Sequence, residues 1–227
     1  KGGEEETGYI DSDSEYFNLI NIARIKNVST KDEYDTDLYS DDMDYNLVEI
    51  IEAELNNYKK SFALYDFTDM IEKFVGSELC PKFDVVFIDE AQDLSPIQWK
   101  MYDIIKQNTK IMILAGDDDQ AIYGWAGADV QRFQEEPAKE KILPQSYRVP
   151  IRVQQVADSI ISQIDTRIMK LWEPRNNEGH CEEVYDLDEV DLTQGKWLIL
   201  ARTNYRLIKM KPYLMERGIY FEYKERK

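Results

Sequence analysis

Val85-Val86-Phe87-Ile88 runs without a spacer into Asp89-Glu90-Ala91-Gln92-Asp93. Four apolar residues, two of them β-branched valines, predict a buried strand. A buried strand that ends abruptly in two carboxylates has few uses. One is a Mg-nucleotide site at the carboxyl end of a sheet. There one acid holds the metal, and the other orients or deprotonates the attacking water. The other use is a polar turn whose Asp and Glu cap the next helix. The string alone leaves both readings open.

A second strand-then-acid pattern follows about one βαβ unit later. Lys110-Ile111-Met112-Ile113-Leu114-Ala115 predicts a strand that runs into Gly116-Asp117-Asp118-Asp119-Gln120-Ala121-Ile122-Tyr123-Gly124-Trp125-Ala126-Gly127-Ala128-Asp129. Between the two, residues 95–107 predict a helix with Ile97, Met101, Ile104 and Ile105 on one face. Parallel strands joined by a helix end at the same sheet edge. Asp89, Glu90 and Gln120 are therefore expected to face one crevice. A third segment, Leu143-Pro144-Gln145-Ser146-Tyr147-Arg148, comes next.

These segments carry a specific resemblance. Asp89-Glu90-Ala91-Gln92-Asp93 resembles motif II of the UvrD/Rep/PcrA-type superfamily 1 DNA helicases. The stretch from Gly116 to Trp125 is similar to their motif III, and Gln145-Ser146-Tyr147-Arg148 to their motif IV. Upstream, Tyr65-Asp66-Phe67-Thr68-Asp69-Met70-Ile71 resembles the segment before motif II. Downstream, Leu200-Ala201-Arg202-Thr203-Asn204 and Gly218-Ile219-Tyr220 resemble the strand-helix-strand of the second motor domain. The likeness runs over residues 62–223, in the family's order; residues 1–60 match only loosely.

The resemblance implies an α/β fold: parts of two RecA-like P-loop NTPase motor domains, with an acidic helical segment at the start. Residues 1–62 would be the accessory segment, 63–143 part of the first motor domain and 144–227 part of the second. It implies an ATP-dependent helicase or translocase moving 3′ to 5′, with ATP and Mg²⁺ as cofactors. Its partners would be single-stranded DNA and duplex junctions, with the chain a monomer or weakly self-associating. Asp89 would hold Mg²⁺ and Glu90 would activate water. Gln92 and Gln120 would sit near the γ-phosphate, Arg148 would reach it from the second domain, and Tyr147 would stack on adenine. Tyr123 and Trp125 would stack on bases. On the residues alone, Gln120 could instead cap its turn, and Trp125 could belong to the core. Arg202, Thr203 and Asn204 fit either a phosphate contact or a helix cap. Two related readings share these motifs: the motor part of a helicase-nuclease repair subunit, and a non-catalytic helicase-like interaction protein.

The chain departs from the family pattern in two ways. No G-x-x-x-x-G-K-[ST] phosphate loop occurs, and motifs V and VI are absent. The expectation is a middle piece of a longer helicase, inactive in isolation. Relatives also carry an arginine directly after the motif III aromatic, where this chain has Ala126. That arginine helps to link the nucleotide site to the strand-binding groove, so its absence weakens the expected coupling of hydrolysis to stepping.

Composition narrows the function classes. A net charge of −17 argues against broad electrostatic binding of nucleic acid. A narrow groove needs only local positive charge and stacking aromatics. The acid is concentrated early, at Glu4-Glu5-Glu6 and over residues 35–44, whereas residues 196–227 carry most of their charge as Lys and Arg. Cys80 and Cys181 are too few and too far apart for a disulfide framework, and His180 beside Cys181 has no further ligands near it in sequence. The expectation is a reducing, cytoplasmic setting with no metal at that pair. No apolar run reaches the roughly 18 residues of a membrane span. Elsewhere, helices are predicted over 14–25 (Tyr16, Leu19, Ile20 and Ala23 inward), 45–62 (Leu47, Ile50, Ile51, Leu55 and Tyr58 on one side), 66–75, 150–164 and 204–217. Further strands are predicted near 181–187, 197–201 and 220–223.

Overall fold

The computed structural model describes residues 14–36, 38–39, 43–77 and 79–222. The chain divides into two compact units: Lys1–Ser146 with Asp158–Glu173, and Tyr147–Ala157 with Pro174–Lys227.

The first unit opens with helices α1 (Glu15–Lys26), α2 (Thr30–Tyr34) and α3 (Tyr45–Phe62). Helix α1 ends where Asn27 adopts a left-handed backbone and its N–H returns to the carbonyls of Ala23 and Arg24. Leu19 and Ile20 of α1 pack with Met43 and Val48 into a small core. The apolar side predicted for α3 is covered only in part. Val48 is fully buried and Ile51 packs against this core, whereas Leu47, Ile50 and Tyr58 are exposed. The apolar residues of α3 cover a wider arc than one neighbouring helix can bury, so only the Val48-Ile51 side is covered. The N-cap is Asp44, whose carboxylate accepts from Asn46 N–H. Helix α4 (Phe67–Ser77) is tied to α1 by Arg24, which donates to Asp66, Asp69 and Glu72.

Strand β1 (Phe83–Ile88), helix α5 (Pro96–Gln107) and strand β2 (Thr109–Leu114) form one βαβ unit, and the strands pair in parallel with Val85 opposite Ile111 and Phe87 opposite Ile113. Pro96 opens α5, and the Gln98 side chain reaches back to accept from Ser95 N–H. Ile97, Trp99 and Tyr102 are the most buried residues of α5. The rings of Trp99 and Tyr102 meet edge to face at 5.1 Å. The Tyr102 hydroxyl donates to Glu136, which Lys106 and Arg132 also hold.

The expectation of a buried strand needs correction. Val86, Ile88, Met112 and Leu114 are half-buried, but Val85, Phe87, Ile111 and Ile113 are exposed, Phe87 by 72 %. Both faces are apolar, as in sheets covered on two sides. Among the described residues only two strands form, so one face lacks cover. After β2 come single-turn helices at Asp118–Gln120 and Gly124–Ala126, then α6 (Val130–Gln134), capped by Asp129.

In the second unit, the start of α7 (Ile151–Ile161) is pinned when Ile151 and Arg152 N–H donate to the carbonyls of Asn177 and Glu178. Gly179 has φ +69, and a Cβ there would lie 2.5 Å from Pro150 Cβ, so glycine is required. The strands predicted at 181–187 and 197–201 do not form, and 220–222 are not strand either; Tyr223 lies outside the described residues. A strand persists only where a ladder partner satisfies its N–H and C=O groups. Here Leu198 and Leu200 remain 81 % and 78 % exposed. The predicted helix over 204–217 divides into α8 (Asn204–Ile208) and α9 (Met210–Glu216). Pro212 has no N–H for the Ile208 carbonyl, which accounts for the break.

Candidate functional site

The parallel ladder continues past both strands. Ala115 N–H donates to the Ile88 carbonyl at 2.7 Å, and Ala91 N–H donates to the Ala115 carbonyl at 3.0 Å. These bonds place Asp89-Glu90 and Gly116-Asp117 side by side at the carboxyl edge of the sheet.

Asp89 is exposed, and its Oδ1 accepts from Glu90 N–H at 3.0 Å. Glu90 has a left-handed backbone, φ 53 and ψ 41. Such a conformation is costly for a residue with a Cβ and concentrates at functional positions. Gln92 is 1 % exposed, and both ends of its amide are engaged. Its Nε2 donates to Glu90 Oε2 at 2.8 Å, and its Oε1 accepts from Asp117 N–H at 3.0 Å. One buried amide therefore couples the turn after β1 to the turn after β2. Gly116 makes room for it: a Cβ there would lie 2.7 Å from Gln92 Oε1 and 2.9 Å from Phe133.

The second turn carries three adjacent carboxylates, Asp117, Asp118 and Asp119, whose oxygens approach within 4.8 Å of one another. They are compensated from about fifty residues downstream. Lys170 Nζ donates to Asp117 at 2.7 Å and to Asp118, and lies 3.3 Å from Asp119. Arg167 grips Asp119 with Nε and Nη2, at 2.8 and 2.5 Å. Burial alone would raise the Asp118 carboxyl; Lys170, the Ile168 amide and Gln134 outweigh it and hold the group below its usual range. Burial works against the Lys170 ammonium too, and Asp117 and Asp118 raise it nonetheless. By contrast, among the described residues no Lys, Arg or His lies within ion-pair distance of Asp89 or Glu90. The acid turn is held by two cations; among the described residues the acid pair beside it is held by none.

The other predicted site residues are placed as follows. Gln120 donates from Nε2 to Asp117 Oδ2 at 2.6 Å, so its amide rests on its own turn. Trp125 is 71 % exposed, outside the core, and its ring stands 6.4 Å from that of Tyr123. Tyr147 and Arg148 are exposed in the second unit. Arg202 and Thr203 are exposed as well; Thr203 occupies the N-cap of α8 without a side-chain capping bond, and Asn204 is the first residue of that helix. His180 Nε2 lies 3.2 Å from Glu182, both exposed. Sequence reasoning missed Arg167 and Lys170, because no local spacing ties them to the acid turn. It also passed over Asp93, whose buried Oδ1 has no hydrogen-bond partner.

These charges set a pH response. Asp118 is lowered from 3.8, and Glu136 is lowered from 4.5, where burial is outweighed by Lys106, Tyr102 and Arg132. A carboxyl lowered by folding stabilises fully above its ordinary value, and that stabilisation drains as pH falls through the lowered one. Lys170, raised from 10.5, contributes in full below that value and loses it only at higher pH. The urea midpoint, followed by Trp fluorescence, is therefore expected to be level from about pH 6 to 9 and to fall below about pH 4. A midpoint level down to pH ~2.5 would contradict this.

Comparison with known proteins adds independent support. The description "UvrD/REP helicase N-terminal domain" matches residues 9–141. DNA helicase II of Haemophilus influenzae is 36 % identical over 96 residues, covering 40 % of this chain and 13 % of that protein. ATP-dependent DNA helicase Rep of Buchnera aphidicola is 32 % identical over 121 residues, 47 % of this chain and 18 % of the relative. ATP-dependent DNA helicase PcrA of Staphylococcus epidermidis is 33 % identical over 111 residues, 46 % and 15 % respectively. The aligned part thus spans less than a fifth of each of these relatives. Among the described residues no helix is long and apolar enough to cross a membrane.

Proposed function

The chain belongs to the UvrD/REP helicase N-terminal domain family, and from that membership we propose that it is part of an ATP-dependent DNA helicase or translocase moving 3′ to 5′ on single-stranded DNA. In this reading residues 63–143 are part of one RecA-like motor domain, 144–227 part of a second, and 1–62 an accessory segment, in a cytoplasmic protein. The observation that carries the proposal is the pair Asp89 and Glu90 at a strand end, which no cation among the described residues compensates. It stands beside an acid turn that is compensated.

That donor set fits Mg-ATP. Asp89 offers an exposed carboxylate to the metal, and Glu90 a second one to a water proton. Bound Mg²⁺ would neutralise charge on the β- and γ-phosphates. Gln92 acts on Glu90, because its Nε2 fixes the Glu90 carboxylate while its Oε1 is held by the second turn. Gln120 addresses the γ-phosphate with the second N–H of its Nε2, the first staying on Asp117. Tyr147 stacks on adenine, and Arg148 supplies charge to the transferred group. Without a phosphate-binding loop this chain alone holds ATP poorly and turns it over slowly. Ala126 in place of an arginine loosens the link between hydrolysis and stepping.

Tyr123 and Trp125 form the stacking platform for DNA bases, and the exposure of Trp125 supports this. In the full-length protein, Trp125→Ala is expected to raise the single-strand concentration needed for half-maximal ATPase stimulation about 5- to 150-fold, the loss of one base stack. The test of the whole reading is ATP turnover of the full-length protein with and without single-stranded DNA. Turnover that DNA does not stimulate, or that this chain alone matches, would sink it.

A further inference from the structure

The segment from Arg167 to Lys170 makes contacts that neither the motifs nor the family membership account for. Lys170 and Arg167 are 10 % and 11 % exposed along their side chains, and Asp118 and Asp119 only 2 % and 4 %. Lys170 reaches all three aspartates of the turn, and Arg167 holds both oxygens of Asp119. The backbone N–H of Ile168, between them, donates to Asp118 Oδ2 at 2.7 Å, and Gln134 Nε2 donates to the same oxygen at 2.9 Å.

The decisive residue is Asp117, because it divides its two oxygens. Oδ1 accepts from Lys170 at 2.7 Å and from Asp119 N–H at 3.2 Å; Oδ2 accepts from Gln120 Nε2 at 2.6 Å. A carboxylate is rigid and planar, so fixing Oδ1 fixes the direction of Oδ2. Gln120 is exposed on a single helical turn, and Asp117 is what orients its amide. The Asp117 N–H is held by Gln92, which also holds Glu90.

We propose that Lys170, seconded by Arg167, is a positioning residue for Gln120: its ammonium locks Asp117, and Asp117 in turn presents the Gln120 amide. The inference rests on the reading of Gln120 as a γ-phosphate group, and it extends that reading to a residue fifty positions away. A lysine that merely neutralised three acids would affect stability and leave Gln120 indifferent to it.

The test is a double-mutant cycle in the full-length protein, read as single-strand-stimulated ATP turnover for Gln120→Ala, Lys170→Met and the pair. Gln120→Ala is expected to lower kcat about tenfold or more. Lys170→Met is expected to lower kcat several-fold with KM for ATP within about twofold. The pair is expected to be no slower than Gln120→Ala alone, since a residue acting through Gln120 has nothing left to act on. Losses that multiply would overturn the positioning role, as would full activity of Lys170→Met beside an impaired Gln120→Ala. Full activity of Gln120→Ala would instead remove the γ-phosphate reading, and the positioning role with it. If Lys170→Met does not fold, Lys170→Met/Asp118→Asn removes one acid with the cation and enters the cycle in its place, with the same outcomes deciding.

Discussion

Glu90→Gln in the full-length protein is expected to lower single-strand-stimulated ATP turnover by at least about 100-fold, the usual contribution of a positioned general base. The substitution suits the question because it changes chemistry with little change in packing. Gln92 Nε2 donates to Glu90 Oε2 at 2.8 Å. A glutamine at position 90 can turn its carbonyl oxygen to that donor and keep the link between the two turns. Its amide cannot take a proton from water. Thermal stability should therefore stay near that of the unsubstituted protein while turnover collapses. Single-strand binding, measured by fluorescence anisotropy, should persist. Turnover within threefold of the unsubstituted protein would show that Glu90 is not the base.

Gln92→Glu is expected to cost about 3–5 kcal/mol near pH 7. It puts a second carboxylate 2.8 Å from that of Glu90, at a position 1 % exposed. The Asp117 N–H keeps an acceptor, so the cost falls on the side facing Glu90. Two carboxylates in contact cannot both stay charged, so the pair holds a proton to a higher pH than either would alone. A carboxyl raised by folding destabilises above its ordinary value and ceases to do so once protonated in both states. The deficit should therefore shrink as pH falls towards about 4, opposite in sign to the acid loss expected of the unsubstituted chain. Urea titrations of both proteins at pH 5 and 8 would measure it. A deficit that is equal at the two pH values would mean that the acids are not in contact.

Much of the first unit is legible from local sequence. Helix α3 begins and ends where the pattern places it, because Asp44 caps its start and its apolar residues recur at helical spacing. The two strands are readable because each is a β-branched or aliphatic run that stops at an acid. That the acids share an edge follows from the handed βαβ connection. What escaped was whatever depends on partners. The segment at 197–201 has the composition of a strand but pairs with nothing among the described residues, and Phe87 has that of a core residue but is 72 % exposed. Pro212 was legible in principle, since its missing N–H divides the helix one turn earlier. In the candidate site, Asp89, Glu90 and Gln92 could be named from one short string. Lys170 could not, because a lysine 53 residues from Asp117 carries no mark of what it will touch.

The half-covered sheet has a consequence for handling the chain in solution. Val85, Phe87, Ile111 and Ile113 form an apolar face, and each of the two strands has an open edge able to accept another chain. What keeps molecules apart is mutual repulsion from a net charge of −17. That repulsion acts over about 10 Å at 0.1 M salt and shrinks to about 3 Å at 1 M. The isolated chain is therefore expected to stay dispersed best at low salt and neutral pH, and brine or acid weakens the repulsion that opposes pairing of its apolar faces.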